Sequence, residues 1–164
     1  MVGGTPHDVS VATALSDKTM GAGRLRRLPT RLLSLAAIDS DRRVNEKLAT
    51  VDARRWHYAV LATLEEFGPQ SQAELSSRTG IYRSDLVTVI NELVDRSLVE
   101  RAPDSTDRRR NLVTLTAPGR RHLVKLDALL AEVENEVLAP LSPAQREQLT
   151  RLLTVLVDHH SRQM

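Results

Sequence analysis

Two helix stops, Gly68-Pro69 and Gly80, bracket a helix start at Ser71, and this punctuation forces the middle of the chain into short helices joined by tight turns. Ser71 followed by Glu74 makes a capping box, in which each side chain satisfies an orphan N–H at the helix start. The helix is predicted to run to Thr79, with Gly80 in the left-handed position that glycine adopts without strain. After a brief turn at Ile81 to Arg83, Leu86, Val87, Ile90, Leu93 and Val94 recur at helical spacing and predict the buried stripe of a second helix. Two short helices across a glycine turn make a helix-turn-helix.

The polar face of the second helix opens with Ser84, Asp85 and Thr88, flanked by Arg83 and Asn91. The N-terminal side chains of such a helix are the ones presented to base edges in a DNA groove. Glu92 and Asp95 follow, and their charge would repel phosphate, so only the first two turns are expected to enter.

Past Leu98 the pattern becomes β-like. Val99 to Arg101 and Leu112 to Thr116 predict two strands, joined by a long polar tip that holds Asp107, Arg108, Arg109 and Arg110. On the N-terminal side, Leu25, Leu28, Leu32, Leu35 and Ile38 predict an amphipathic helix running towards Leu48, with Pro29 in its first turn. Trp56, Ala59, Val60, Leu64 and Phe67 predict another, ended by Gly68-Pro69. Thr116 is expected to cap a long helix with a heptad-like seam of Leu123, Leu126, Leu130, Val133 and Val137. Ser142-Pro143 with Gln145 then starts a last helix carrying Leu149, Leu152, Leu153 and Leu156.

The fold class expected is therefore mainly α with a small β-hairpin wing: a winged helix-turn-helix flanked by dimerisation helices. Its expected parts are a flexible extension over residues 1–23, an N-terminal dimerisation helix over 24–50, the winged module over 51–118 and C-terminal dimerisation helices over 119–164. The terminal helices carry more apolar surface than one small core needs, and a symmetric homodimer would use it.

Charge distribution favours duplex DNA as partner. The net charge is only +2, yet Arg108 to Lys125 holds six basic and no acidic residues, whereas Leu126 to Met164 holds six acidic and three basic. With only four aromatic residues, Trp56, Tyr58, Phe67 and Tyr82, the chain lacks the stacking platform on which proteins hold single strands. No run reaches the roughly 18 apolar residues of a membrane span, and residues 1–23 have no apolar h-region, so no membrane association and a cytoplasmic location are expected. The absence of cysteine excludes thiol redox sensing and thiolate metal sites. His159 and His160 are adjacent and diverge on a helix, so no metal is expected. No cofactor motif occurs, and with neither a phosphate loop nor a nucleophile motif the chain is read as not an enzyme.

The stretch Asp107-Arg108-Arg109-Arg110-Asn111-Leu112-Val113-Thr114-Leu115-Thr116, followed by Gly119, resembles the wing signature of the MarR family of bacterial transcriptional regulators. The likeness extends from about Arg27 to the C-terminus, with one departure: Ser97 stands where the family usually has glycine. The resemblance implies a homodimeric regulator, a repressor of pseudo-palindromic operators released by a small aromatic or phenolic effector. It also implies that Arg109 enters the minor groove while Asp107 holds it; Arg108 and Arg110 stay open between phosphate contact and solvation. Trp56, His57 and Tyr58 are the candidate effector-pocket residues, although Trp56 reads chiefly as packing. Because His57 follows the tryptophan where the urate-responsive branch has aspartate, urate binding is not carried over. A winged-helix protein-interaction module and an effector-independent DNA-binding protein are the rival readings.

Overall fold

A computed structural model describes residues 22–103 and 111–161, with side chains as far as His159. The chain divides into two units, Met1–Arg42 and Arg43–Met164. In chain order the elements are α1 (Gly23–Arg26), α2 (Pro29–Ala49), α3 (Arg55–Phe67), β1 (Gln70–Ser71), α4 (Gln72–Thr79), α5 (Arg83–Asp95), β2 (Val99–Pro103), β3 (Asn111–Leu115), α6 (Ala117–Val137) and α7 (Pro143–Ser161).

The first helix expected from Leu25 is broken. A proline disfavours helical geometry in the residue before it, so α1 ends at Arg26 and α2 restarts with Pro29 at its first position. In this first unit Leu25, Leu28, Leu32, Leu33, Leu35 and Ile38 are all at least 38% exposed.

The second unit is built around α3, α4, α5, the sheet and α6. Its core joins Leu48, Val60, Leu61, Leu64, Leu75, Leu86, Ile90, Leu93, Val113, Leu123 and Leu126, none more than 6% exposed. The seam expected on α6 is there, Leu130 and Val137 packing at its margin. Lys47 of α2 meets Glu132 of α6 at 2.5 Å and Arg43 meets Glu136 at 3.7 Å. Such exposed pairs orient helices more than they stabilise them.

The buried face of α3 is rotated by one residue from the expected one. His57, Val60, Leu61 and Leu64 point inward, whereas Trp56 and Phe67 stand 47% and 46% exposed. Phe67 is roofed by the Arg78 guanidinium, 3.9 Å from its ring centre, a contact that lets an aromatic sit at the surface.

The expected hairpin forms, β2 pairing antiparallel with β3 in the register Val99↔Leu115 to Pro103↔Asn111. It gains a third strand, because Gln70 and Ser71 pair with Val113 and Leu112 and give the order β1-β3-β2. Pro103, which has no N–H to donate, lies on the edge strand, where it costs least.

Helix ends follow the expected chemistry. Ser71 N–H donates to Glu74 Oε2 at 2.8 Å, Glu74 N–H to Ser71 Oγ at 3.3 Å, and Gly80 is left-handed with φ 71°. Ser142 and Gln145 form the corresponding box at the start of α7. Thr116 accepts from the Gly119 N–H at 3.0 Å, and its own hydroxyl lies 2.7 and 2.9 Å from the carbonyls of Ser97 and Leu98. A Cβ on Gly119 would fall 2.0 Å from the Leu98 oxygen, so the wing signature's glycine is needed for close approach. Ser97 builds the turn that the family makes with glycine. Its φ is 57°, its N–H reaches the Val94 carbonyl at 2.8 Å and the Leu98 N–H reaches that of Leu93 at 2.9 Å, a Schellman end with serine in the left-handed place.

Candidate nucleic-acid interface

Helix α5 is set against α4 by the turn between them. Ser76 Oγ donates to the Ile81 carbonyl at 2.7 Å and the Ile81 N–H to Thr79 Oγ1 at 3.3 Å, while Ile81 is buried. Arg83, expected in the turn, is the first residue of the helix, after Tyr82 at the N-cap. With Leu86, Val89, Ile90 and Leu93 turned into the core, Arg83, Ser84, Thr88 and Asn91 are exposed and Asp85 is half-buried. Val87, expected in the buried stripe, is 41% exposed and shares the outer face, while Val89 takes its inward place.

Arg83, Val87 and Asn91 form one wall of a groove of about 780 Å³, closed by the start of α4 at Ser71 and Gln72 and by Arg101 and Asn111 of the hairpin. Helix face and hairpin thus share one concave surface with arginines on two sides. The tip residues Asp107, Arg108, Arg109 and Arg110 lie outside the described residues.

Glu92 does not face this groove as a bare charge. Its Oε2 accepts from Arg54 Nη2 and lies 2.7 Å from His57 Nε2. The Arg54 N–H donates to His57 Nδ1 at 3.2 Å, so a neutral imidazole with its proton on Nε2 fits both bonds. Burial, reinforced by the nearby Arg54 and Arg96 guanidiniums, lowers the His57 pKa to about 4. Arg96, just past α5, donates to the Asp52 carbonyl at 2.6 Å and lies 3.4 Å from that of Val51. The second half of α5 is thereby tied to the loop before α3.

The three candidate effector residues diverge. Trp56 lines a hollow of about 480 Å³ with Asn45, Ala49, Ala53, Arg54 and Arg55. His57 faces another, of about 400 Å³, with Asp52, Arg54, Glu92, Asp95 and Arg96. Tyr58 is half-buried and donates to Asp127 Oδ1 at 3.0 Å; burial, and then that carboxylate, raise its pKa. Sequence reasoning missed the Arg54–His57–Glu92 cluster, since its members are 35 residues or more apart in two cases, and missed Arg101, which carries no mark beyond strand alternation. Among the described residues no cluster able to hold a metal occurs, and no helix is long and apolar enough to cross a membrane.

Residues 52–110 match the model of the MarR family. Among solved structures the chain is similar to BpsR of Bordetella bronchiseptica, described for the regulation of its DNA binding by 6-hydroxynicotinic acid. The identity there is 25% over 84% of this chain and 99% of that one, with a TM-score of 0.74. A probable transcriptional regulator from Pseudomonas aeruginosa is 29% identical, with 80% and 98% of the two chains covered and a TM-score of 0.72. The PcaV transcriptional regulator of Streptomyces coelicolor, solved with its natural ligand, is 27% identical over 85% and 98%, also at a TM-score of 0.72.

Proposed function

We propose, for a chain that belongs to the MarR family of winged-helix transcriptional regulators, that it binds duplex operator DNA as a homodimer and represses by occlusion. The observation that carries this reading is the outer face of α5. Arg83, Ser84, Thr88 and Asn91 stand exposed, Arg83 and Asn91 within the groove shared with the hairpin, and Glu92, the acid that follows Asn91, is paired with Arg54. That pairing takes up Glu92, one of the two acids on which a protein-interaction reading rested; the other, Asp95, is exposed at the far end of α5. The role assigned to the face is base contact in the major groove, with Asp85 orienting the first turn. Arg109, held by Asp107, is assigned to the minor groove, as the family resemblance implies, with Arg108 and Arg110 beside it at the DNA-facing tip.

Exposed apolar rows support the dimer. Leu25, Leu28, Leu32, Leu35 and Ile38 in the first unit, and Leu152, Val155, Leu156 and Val157 on α7, leave more apolar surface open than a monomer usually does. Two-fold symmetry would place two α5 helices about 34 Å apart, one DNA turn. The effector is assigned to the α3 end, where the exposed Trp56 ring lies beside Arg54 and Arg55, a setting suited to a small aromatic acid. His57 and Tyr58 complete the proposed region from within. The activity is binding, not catalysis, and its compartment is the cytoplasm.

The test is a titration of the DNA flanking the chain's own gene across a range of salt. The expected result is a specific complex of two chains per duplex whose affinity falls steeply with salt. Arg109→Ala should weaken it and reduce the slope by about one unit per phosphate contact removed. Binding that is absent, or indifferent to salt, overturns the reading.

A further inference from the structure

Val87 is an apolar residue on the outer face of α5, away from the core side of the helix. Its neighbours on α5 that serve the core, Leu86, Val89, Ile90 and Leu93, are at most 2% exposed, whereas Val87 is 41% exposed. Valine also favours helices less than the straight-chain residues that suit an open helix surface. It sits one turn after Arg83 and one turn before Asn91, and all three line the same groove. From the assignment of that groove to DNA, on which this step rests, we infer that Val87 is a specificity-determining contact whose methyl groups meet the 5-methyl of a thymine in each half-site.

The chemistry selects thymine over the other bases. In the major groove thymine alone presents a methyl group, while guanine, adenine and cytosine offer polar edges that an apolar side chain would strand without a partner. Branching at Cβ holds the valine methyls in one preferred helical rotamer, so little side-chain freedom is lost when they are covered. Arg83 and Asn91, a turn to either side, have the donors that suit guanine and adenine edges, so the stripe combines three different base-edge chemistries.

The experiment uses the full chain and duplexes selected by it from a random pool. Each thymine of the preferred duplex is replaced singly by uracil, which removes only the 5-methyl, and affinities are measured for the wild type and Val87→Ala. The expected result is one thymine per half-site whose replacement weakens wild-type binding about fourfold, the loss disappearing in Val87→Ala. Unchanged thermal unfolding of the variant, expected for an exposed position, separates this loss from misfolding. If every uracil penalty is the same in both proteins, the assignment of Val87 is overturned while the DNA-binding reading stands. Recovery of no preferred duplex overturns both.

Discussion

Along α5 the inward side chains Leu86, Val89, Ile90 and Leu93 are at most 2% exposed, whereas Arg83, Ser84, Val87, Thr88 and Asn91 opposite them are open to solvent. The inward row belongs to the core that orders the winged module. The outward row has the size, charge and polarity of a binding surface and adds little to that core. On the proposed reading one helix separates stability from recognition across its width, and Glu92, which lies between, is bound to the stabilising side through Arg54 and His57. Substitutions on the two sides should therefore move different observables.

Leu86→Ala should have the largest effect, a loss of about 3 kcal/mol in denaturant unfolding, from lost transfer energy plus a cavity. A loss below about 1 kcal/mol would mean that the inward row is not the support it looks to be.

Acid should loosen the shared edge. His57 has a folded pKa lowered to about 4 from the ordinary 6.5, so between these values the unfolded chain binds the proton first. The stability His57 contributes is complete above about pH 6.5, falls as pH drops and is gone near pH 4. Between pH 7.5 and 5 the loss should be about 2 kcal/mol, and a His57→Gln variant should lack that slope. An equal slope in both proteins would show that burial and the two guanidiniums do not depress the His57 pKa in the folded chain.

The smallest effect concerns the end of α5. Ser97→Gly relieves a left-handed residue but loosens the unfolded chain, for a net gain of about 0.5 kcal/mol in thermal or denaturant unfolding. A destabilised variant would show that the Ser97 side chain has a role the turn does not need.

Features written in local chemistry were legible in the sequence. The boxes at Ser71 and Ser142, the left-handed Gly80 and the Thr116 cap each depend on residues within four positions of one another. The helix-turn-helix and hairpin followed from them. What was not legible depends on partners far along the chain. β1 is two residues whose strand character comes from β3, some forty positions later. The phase of α3 turned on a histidine, which periodicity counts as polar, yet His57 is buried because Glu92 and Arg54 complete its bonds. Val87 was counted inward because its type fits a core, and only packing shows which of two adjacent apolar positions a helix turns away. The exposure of Ser84, Thr88 and Asn91 on the outer face of α5 was legible from helical spacing; the groove that joins Asn91 to Arg101 required the folded sheet.

The separation of the two faces is tested most directly by one variant read two ways. Arg83→Ala, Thr88→Ala and Asn91→Ala combined should leave the unfolding free energy within about 0.5 kcal/mol of wild type, as expected for exposed positions. Affinity for a selected duplex should fall at least about a hundredfold, since good base and phosphate contacts are worth about 1–3 kcal/mol each. Unchanged affinity in a fully folded variant would contradict the assignment of this face to DNA.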